Sequence, residues 1–159
     1  MAATGLTTYL NDHLAGSVIA LELLDHLMEQ HPAVGRGELA AIRAEIQEDQ
    51  QLLRRILSDV GGDESPIRKA AAWLTEKLGQ VKLKMDDRLP GELRAFEALE
   101  ALALGIQGKL LLWRALGTVA GNIPSLGRVD LPQLMRRAEN QFDRIEGLRR
   151  RTAPTALLP

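Results

Sequence analysis

The sequence predicts an all-α protein, an antiparallel four-helix bundle with an additional helix between the second and third long helices. Three observations carry this. Four long segments repeat apolar residues at helical three- and four-residue spacing, and no segment alternates with a period of two. Leu, Ala, Glu, Arg and Gln, all good helix formers, are abundant, while Val, Ile, Thr and Tyr are sparse.

The first helix is expected from about Thr7 to Gln30, on the stripe Leu10, Leu14, Ser17, Leu21, Leu24 and Met28. His31-Pro32 ends it, because the residue before a proline is pushed out of the helical region. The second runs from about Glu38 to Val60 on Leu39, Ile42, Ile46, Asp49, Leu53 and Ile56, and Gly61-Gly62 stops it. Ser65-Pro66 reads as a new helix start, followed by Ile67, Ala71, Leu74, Leu78, Val81 and Met85 at heptad spacing. The third long helix spans about Gly91 to Val119, with Phe96, Leu99, Ala103, Ile106, Leu110 and Trp113 as its face. The fourth starts at Asp130, where Asp130 and Gln133 have capping-box spacing. Its face is Leu131, Leu134, Met135, Ala138, Phe142, Ile145 and Leu148. Residues 1–151 read as one bundle domain. Residues 152–159, with two prolines, read as a loose C-terminal tail.

Composition narrows the function classes. The chain has 159 residues, 45% hydrophobic and 26% charged, with a formal net charge of -1. That balance suits a globular domain and lacks the basic excess of a nucleic-acid binder. The absence of cysteine removes thiol catalysis, thiolate metal sites and disulfides. The N-terminus has neither the basic stretch nor the apolar run of a signal peptide, and no window is apolar enough to span a membrane. A cytoplasmic protein that contacts neither membrane nor nucleic acid is the expectation. No phosphate-binding glycine loop and no Gly-x-Ser-x-Gly elbow occurs.

Four long helices, with one long crossover between the second and third, and the first-helix segment Tyr9-Leu10-Asn11-Asp12-His13-Leu14-Ala15-Gly16 resemble the ferritin-like superfamily. The resemblance implies an interior di-metal site built from carboxylates and two Glu-x-x-His motifs on separate helices. This chain departs from that set. Its only histidines are His13, His26 and His31, in or just after the first helix. Glu45-x-x-Glu48 and Asp143-x-x-Glu146 are the nearest remnants. No metal and no cofactor is therefore expected; were a metal bound, His13, Asp49 and Glu100 would be its candidate ligands.

Several polar residues fall on or beside the apolar stripes: His13 on the first helix, Asp49 and Glu45 on the second, Glu100 and Gln107 on the third, Gln141 on the fourth. They fit either a hydrogen-bonded structural network or a small polar pocket. Asp49 is expected to be buried and bonded across helices, with His13 as first candidate partner. Arg149-Arg150-Arg151 reads as cations favoured at a helix C-terminus.

The third helix carries a second stripe, Ala98, Ala101, Gly105, Gly108 and Leu112. Each mid-helix glycine costs about 1 kcal/mol against alanine. Close approach of the additional helix or of a second chain, with a crossing near Gly105, would account for it. The resulting expectation is a non-enzymatic bundle acting through protein–protein contact, a homodimer through the third or the additional helix. A metal-dependent oxidoreductase or storage protein is one alternative. A small-ligand carrier with an interhelical pocket is the other.

Overall fold

A computed structural model of the chain describes residues 5–63 and 91–159, together with residues 69, 72 and 76. The chain is all-helical, with no strand among the described residues. Four long helices are present: α1 (Gly5–Gln30), α2 (Arg36–Asp59), α3 (Gly91–Val119) and α4 (Leu131–Leu157). The additional helix expected from Ser65 to Met85 lies outside the described residues, apart from Lys69, Ala72 and Glu76, which are helical and exposed. No helix among the described residues is long and apolar enough to cross a membrane.

The helix ends follow local chemistry. A 3-10 turn, Pro32–Val34, and Gly35 at φ 132° join α1 to α2. The Asp130 carboxylate caps α4 by accepting the Gln133 backbone N–H at 2.9 Å. Gly61, at φ 75°, closes α2: its N–H reaches the Ser58 carbonyl at 3.0 Å, and the Gly62 N–H reaches Leu57 at 2.8 Å. That six-to-one bond beside a left-handed glycine satisfies carbonyls the helix would otherwise leave open.

The C-terminal residues correct the sequence expectation. Residues 152–157 are not loose but continue α4 through Pro154 to Leu157. Proline removes one helical N–H here, yet Thr152 Oγ1 donates to the Leu148 carbonyl at 3.0 Å and Thr155 Oγ1 to Thr152 at 3.0 Å. This last stretch faces His31–Val34 and the start of α3 across a surface groove. The three arginines are consequently within the helix rather than at its end. Arg149 reaches Glu146 and Glu100, and Arg151 reaches Glu38.

The core is a continuous set of Leu and Ile side chains from all four helices, with Trp113 the largest member. The α3–α4 pair and the α1–α2 pair have the most extensive backbone approach, α1 and α3 approach less, and α2 and α4 only slightly. Glu38 pairs with Arg144 and Arg151, Glu45 with Arg144, and Glu48 with Arg137, so contacts descend α4 as they ascend α2. The end of α1 meets the start of α3, where His31 lies against Gly91.

The back of α3 is open among the described residues, which include neither the additional helix nor a second chain. Ala101 and Gly105 are exposed, Leu104 and Leu111 are 69% and 57% exposed, and a Cβ placed on Gly105 or Gly108 would meet no described residue within 4 Å. There is no close crossing at Gly105 among the described residues. The buried faces of α3 instead use Ala95, Leu102, Leu112 and Leu116 alongside the expected Leu99, Ala103, Ile106, Leu110 and Trp113.

Candidate functional site: a polar layer beside an interhelical cavity

Near mid-height each helix places a polar side chain where its apolar stripe would have another leucine. On α2, Asp49 stands between Ile46 and Leu53; on α4, Gln141 stands between Ala138 and Ile145. On α3, Lys109 continues the line Leu102, Ile106, Trp113 at four-, three- and four-residue spacing. Ser17 takes the equivalent place on α1. Asp49 and Gln141 are 4% and 0% exposed, so their polar atoms depend on protein partners rather than bulk water.

Lys109 is the hub. Its Nζ donates to Asp49 Oδ2 at 2.6 Å and to Gln141 Oε1. Gln141 Nε2 in turn donates to Glu45 Oε2 at 2.9 Å, and Glu45 Oε1 receives Arg144 Nη1 at 2.8 Å. Arg137 Nη2 comes within 3.1 Å of Asp49 Oδ1 but donates to the Glu45 carbonyl at 2.6 Å and to Glu48 at 2.9 Å. Both of its hydrogens are thereby engaged, so its hold on Asp49 is one of charge, and Oδ1 accepts no hydrogen bond among the described residues. On the other side Gln50 Nε2 donates to Ser17 Oγ at 2.8 Å, and Ser17 Oγ to the Leu14 carbonyl at 2.6 Å.

Burial and charge shift these groups in opposite senses. Loss of water pushes the Lys109 ammonium below its ordinary range, the Asp49 carboxylate pulls it back, and burial wins. Glu45 behaves conversely. Burial works to raise its carboxyl, but the bonds from Arg144 and Gln141 and the charge of Arg137 outweigh it and hold it below the usual carboxylate range. Burial lowers the His13 imidazole, against a smaller opposing pull from Asp12.

A cavity of about 230 Å³ lies against this layer, among α1, α2 and α3. Asp49, Lys109, Gln50 and Ser17 supply polar groups; Ile46, Leu53, Ile106, Leu112 and Trp113 supply apolar surface. Gly16, Gly105 and Gly108 also line it, and a Cβ on any of the three would meet no neighbour among the described residues. The space therefore exists partly because these positions carry no side chain. Trp113 is 1% exposed, and its Nε1–H has no hydrogen-bond partner among the described residues.

The structure brings together some of the expected residues and separates others. Asp49 is buried and bonded across helices as expected, but its partners are Lys109 and Arg137. His13 lines the same cavity, and its ring packs edge-on to Tyr9 at 4.7 Å. Glu100 does not join them; it is exposed and pairs with Arg149 at 3.0 Å. Among the described residues no three His, Asp or Glu side chains gather as a metal site, and Asp49 is already held by two cations. Gln141 is central rather than flanking. Lys109 went unnoticed in the sequence because lysine at a stripe position ordinarily reaches out to water along its stem, although its spacing to Leu102, Ile106 and Trp113 marks it as inward-facing. The chain matches no protein-family model, no curated protein and no solved structure.

Proposed function

We propose that the protein is a non-enzymatic, cytoplasmic helical bundle of ferritin-like architecture that carries a small molecule in the cavity among α1, α2 and α3. The architectural part is supported by the opposed running order of α2 against α4 and by the approach of the end of α1 to the start of α3. The ligand part rests on one observation: a cavity of about 230 Å³ adjoins a buried ion pair and is bordered by three glycines with open space above them. Concave, mainly apolar space with a few converging polar groups is what small-molecule sites share. Titration of labelled protein with ethylbenzene and acetophenone tests this. Amide resonances of Gly16, Ile46, Gly105 and Lys109 should shift together, and a Gly108→Leu variant that remains folded should lose the response. Cavity-lining resonances that ignore both probes would remove the proposal.

A homodimer through α3 is a second reading, favoured by Leu104 and Leu111, exposed two turns apart on one face of that helix. Sedimentation equilibrium decides it: a dimer that becomes a folded monomer on Leu104→Glu substitution supports it, and a wild-type monomer at all concentrations refutes it.

A further inference from the structure

The outer face of α3 is apolar and uncharged along most of its length. Between Ala101 and Val119 the helix has only two ionised residues, Lys109 and Arg114, and Lys109 is turned inward to Asp49. The outer line is Ala101, Leu104, Gly108, Leu111 and Ala115, at three-, four-, three- and four-residue spacing. That spacing is the seam along which one helix lies on another. Both leucines of the line are more than half exposed, and Ala101 and Ala115 are exposed beside them. A helix face that stays in water ordinarily carries Lys, Glu or Arg instead.

We infer that this face pairs with the same face of a second copy, the two α3 helices running antiparallel about a two-fold axis beside Gln107, with Glu100 of each chain facing Arg114 of the other. This rests on the homodimer reading above. Self-complementarity supports it. Small and large residues alternate along the seam, so an antiparallel copy sets each leucine against a small residue. Leu104 falls opposite Gly108 of the second copy, and Leu111 opposite its Ala101. Parallel helices would instead set glycine against glycine and leucine against leucine.

Charge selects the register. Glu100, Gln107 and Arg114 follow at seven-residue spacing along one border of the seam: acidic, neutral, basic. With the axis beside Gln107, Glu100 meets Arg114 of the second copy on either side of it, and the two glutamines meet at the axis. Each charge is then on the order of 20 Å along the helix from its own twin. A register one heptad further along sets Glu100 against Gly121, which has no charge to offer. Both ionised groups are accessible, at 55% exposure each. Arg149, which holds Glu100, keeps Glu146 through two bonds, and Arg114 touches Glu139 only at 3.3 Å.

The test is charge reversal on the intact chain, read by sedimentation equilibrium. Glu100→Arg and Arg114→Glu variants, each checked for native helicity, should have dimer dissociation constants raised roughly tenfold, because two edge pairs become two repulsions. An equimolar mixture of the two variants should recover wild-type association, since each mixed dimer again has opposite charges at both edges. Spin labels at Thr118→Cys, in a chain with no cysteine of its own, should lie ~35 Å apart, the axial separation that this register sets. Labels only ~10 Å apart, the spacing of parallel neighbours, overturn the antiparallel pairing while leaving the homodimer reading intact. So does a dimer indifferent to both reversals, or one that mixing fails to restore. A wild-type monomer at every concentration overturns both this inference and the homodimer reading, and leaves residues 64–90 of the same chain to cover α3.

Discussion

The seams on opposite sides of the bundle are built on contrary principles. Between α2 and α4 the backbones stay far apart, and long side chains cross the gap: Glu38, Glu45 and Glu48 from one helix meet Arg137, Arg144 and Arg151 from the other, with Gln141 inside. Between α1 and α3 the residues at the same height are Gly16, Gly105 and Gly108, and no described residue fills the space they leave. One seam is wide and filled; the other is bordered by residues too small to fill it. A wide separation does not by itself make a cavity. What matters is whether the facing positions carry side chains long enough to bridge, and the polar layer lies where the two solutions adjoin.

The sharpest challenge to this contrast is removal of the group that serves both seams. Asp49→Ala leaves the buried Lys109 ammonium without its counter-charge and should lower stability by about 3–5 kcal/mol in chemical denaturation. The paired change Asp49→Leu with Lys109→Met should restore most of that loss, since a well-packed apolar pair of similar volume is often neutral or better. A single Asp49→Ala variant as stable as wild type would mean that the layer is dispensable to the fold.

Next in size is the filled seam alone. Gln141→Leu deprives Glu45 of a donor and Lys109 of an acceptor, at a cost of about 1–3 kcal/mol. Because Glu45 is held below the usual carboxylate range, its contribution is present above the ordinary value of 4.5 and is lost as pH falls through the lower folded value. The wild-type advantage over Glu45→Gln should therefore shrink in acid, measured as the difference in denaturation midpoint between pH 7 and pH 3.

The open seam should respond in the reverse direction. Gly105→Ala should stabilise the protein by about 0.5–1 kcal/mol, because alanine is the better helix former and its Cβ meets open space. A destabilised Gly105→Ala protein would show that another surface closes on α3 there.

The smallest effect is a mild acid sensitivity at the margins of α1. Burial lowers His13 and His31 below the ordinary 6.5, with the Arg94 charge assisting at His31. The unfolded chain thus takes up protons first as pH falls, and stability declines from about pH 6.5 until the folded values are passed. His13→Asn should flatten part of that decline in thermal melts between pH 7 and pH 5.

The sequence made the helices legible because each one repeats leucine over several turns and ends at an unambiguous breaker, as at His31-Pro32 and Gly61-Gly62. It misjudged the last residues of α4, since two prolines suggested a tail, whereas the helix continues with threonine hydroxyls bonded back to carbonyls of the preceding turn. Asp49 was visible as an acid on a leucine stripe. Its partner was not, because a histidine near a stripe attracts more notice than a lysine on one, and the height of α3 against α2 cannot be read from either helix alone. Glu100 shows the same limit in reverse: at the edge of a helix face, a modest rotation places it outside with Arg149. Glycine on a helix permits either contact or vacancy, and only what packs against it decides which.

The polar layer also interrupts the apolar interior at mid-height. On one side lie Leu24, Leu27, Leu39, Ile42, Leu99, Ile145 and Leu148; on the other lie Leu10, Leu14, Leu53, Ile56, Trp113, Leu116 and Leu134. Each half has apolar contributions from all four helices, and at mid-height they meet through Ile46, Ile106, Leu110 and Ala138, beside charges whose mutual attraction depends on the exclusion of water. Once water enters there, the connection between the halves weakens. Opening can then proceed from one end while the opposite end stays folded, with amide hydrogens exchanging in two groups split across the middle of every helix rather than helix by helix.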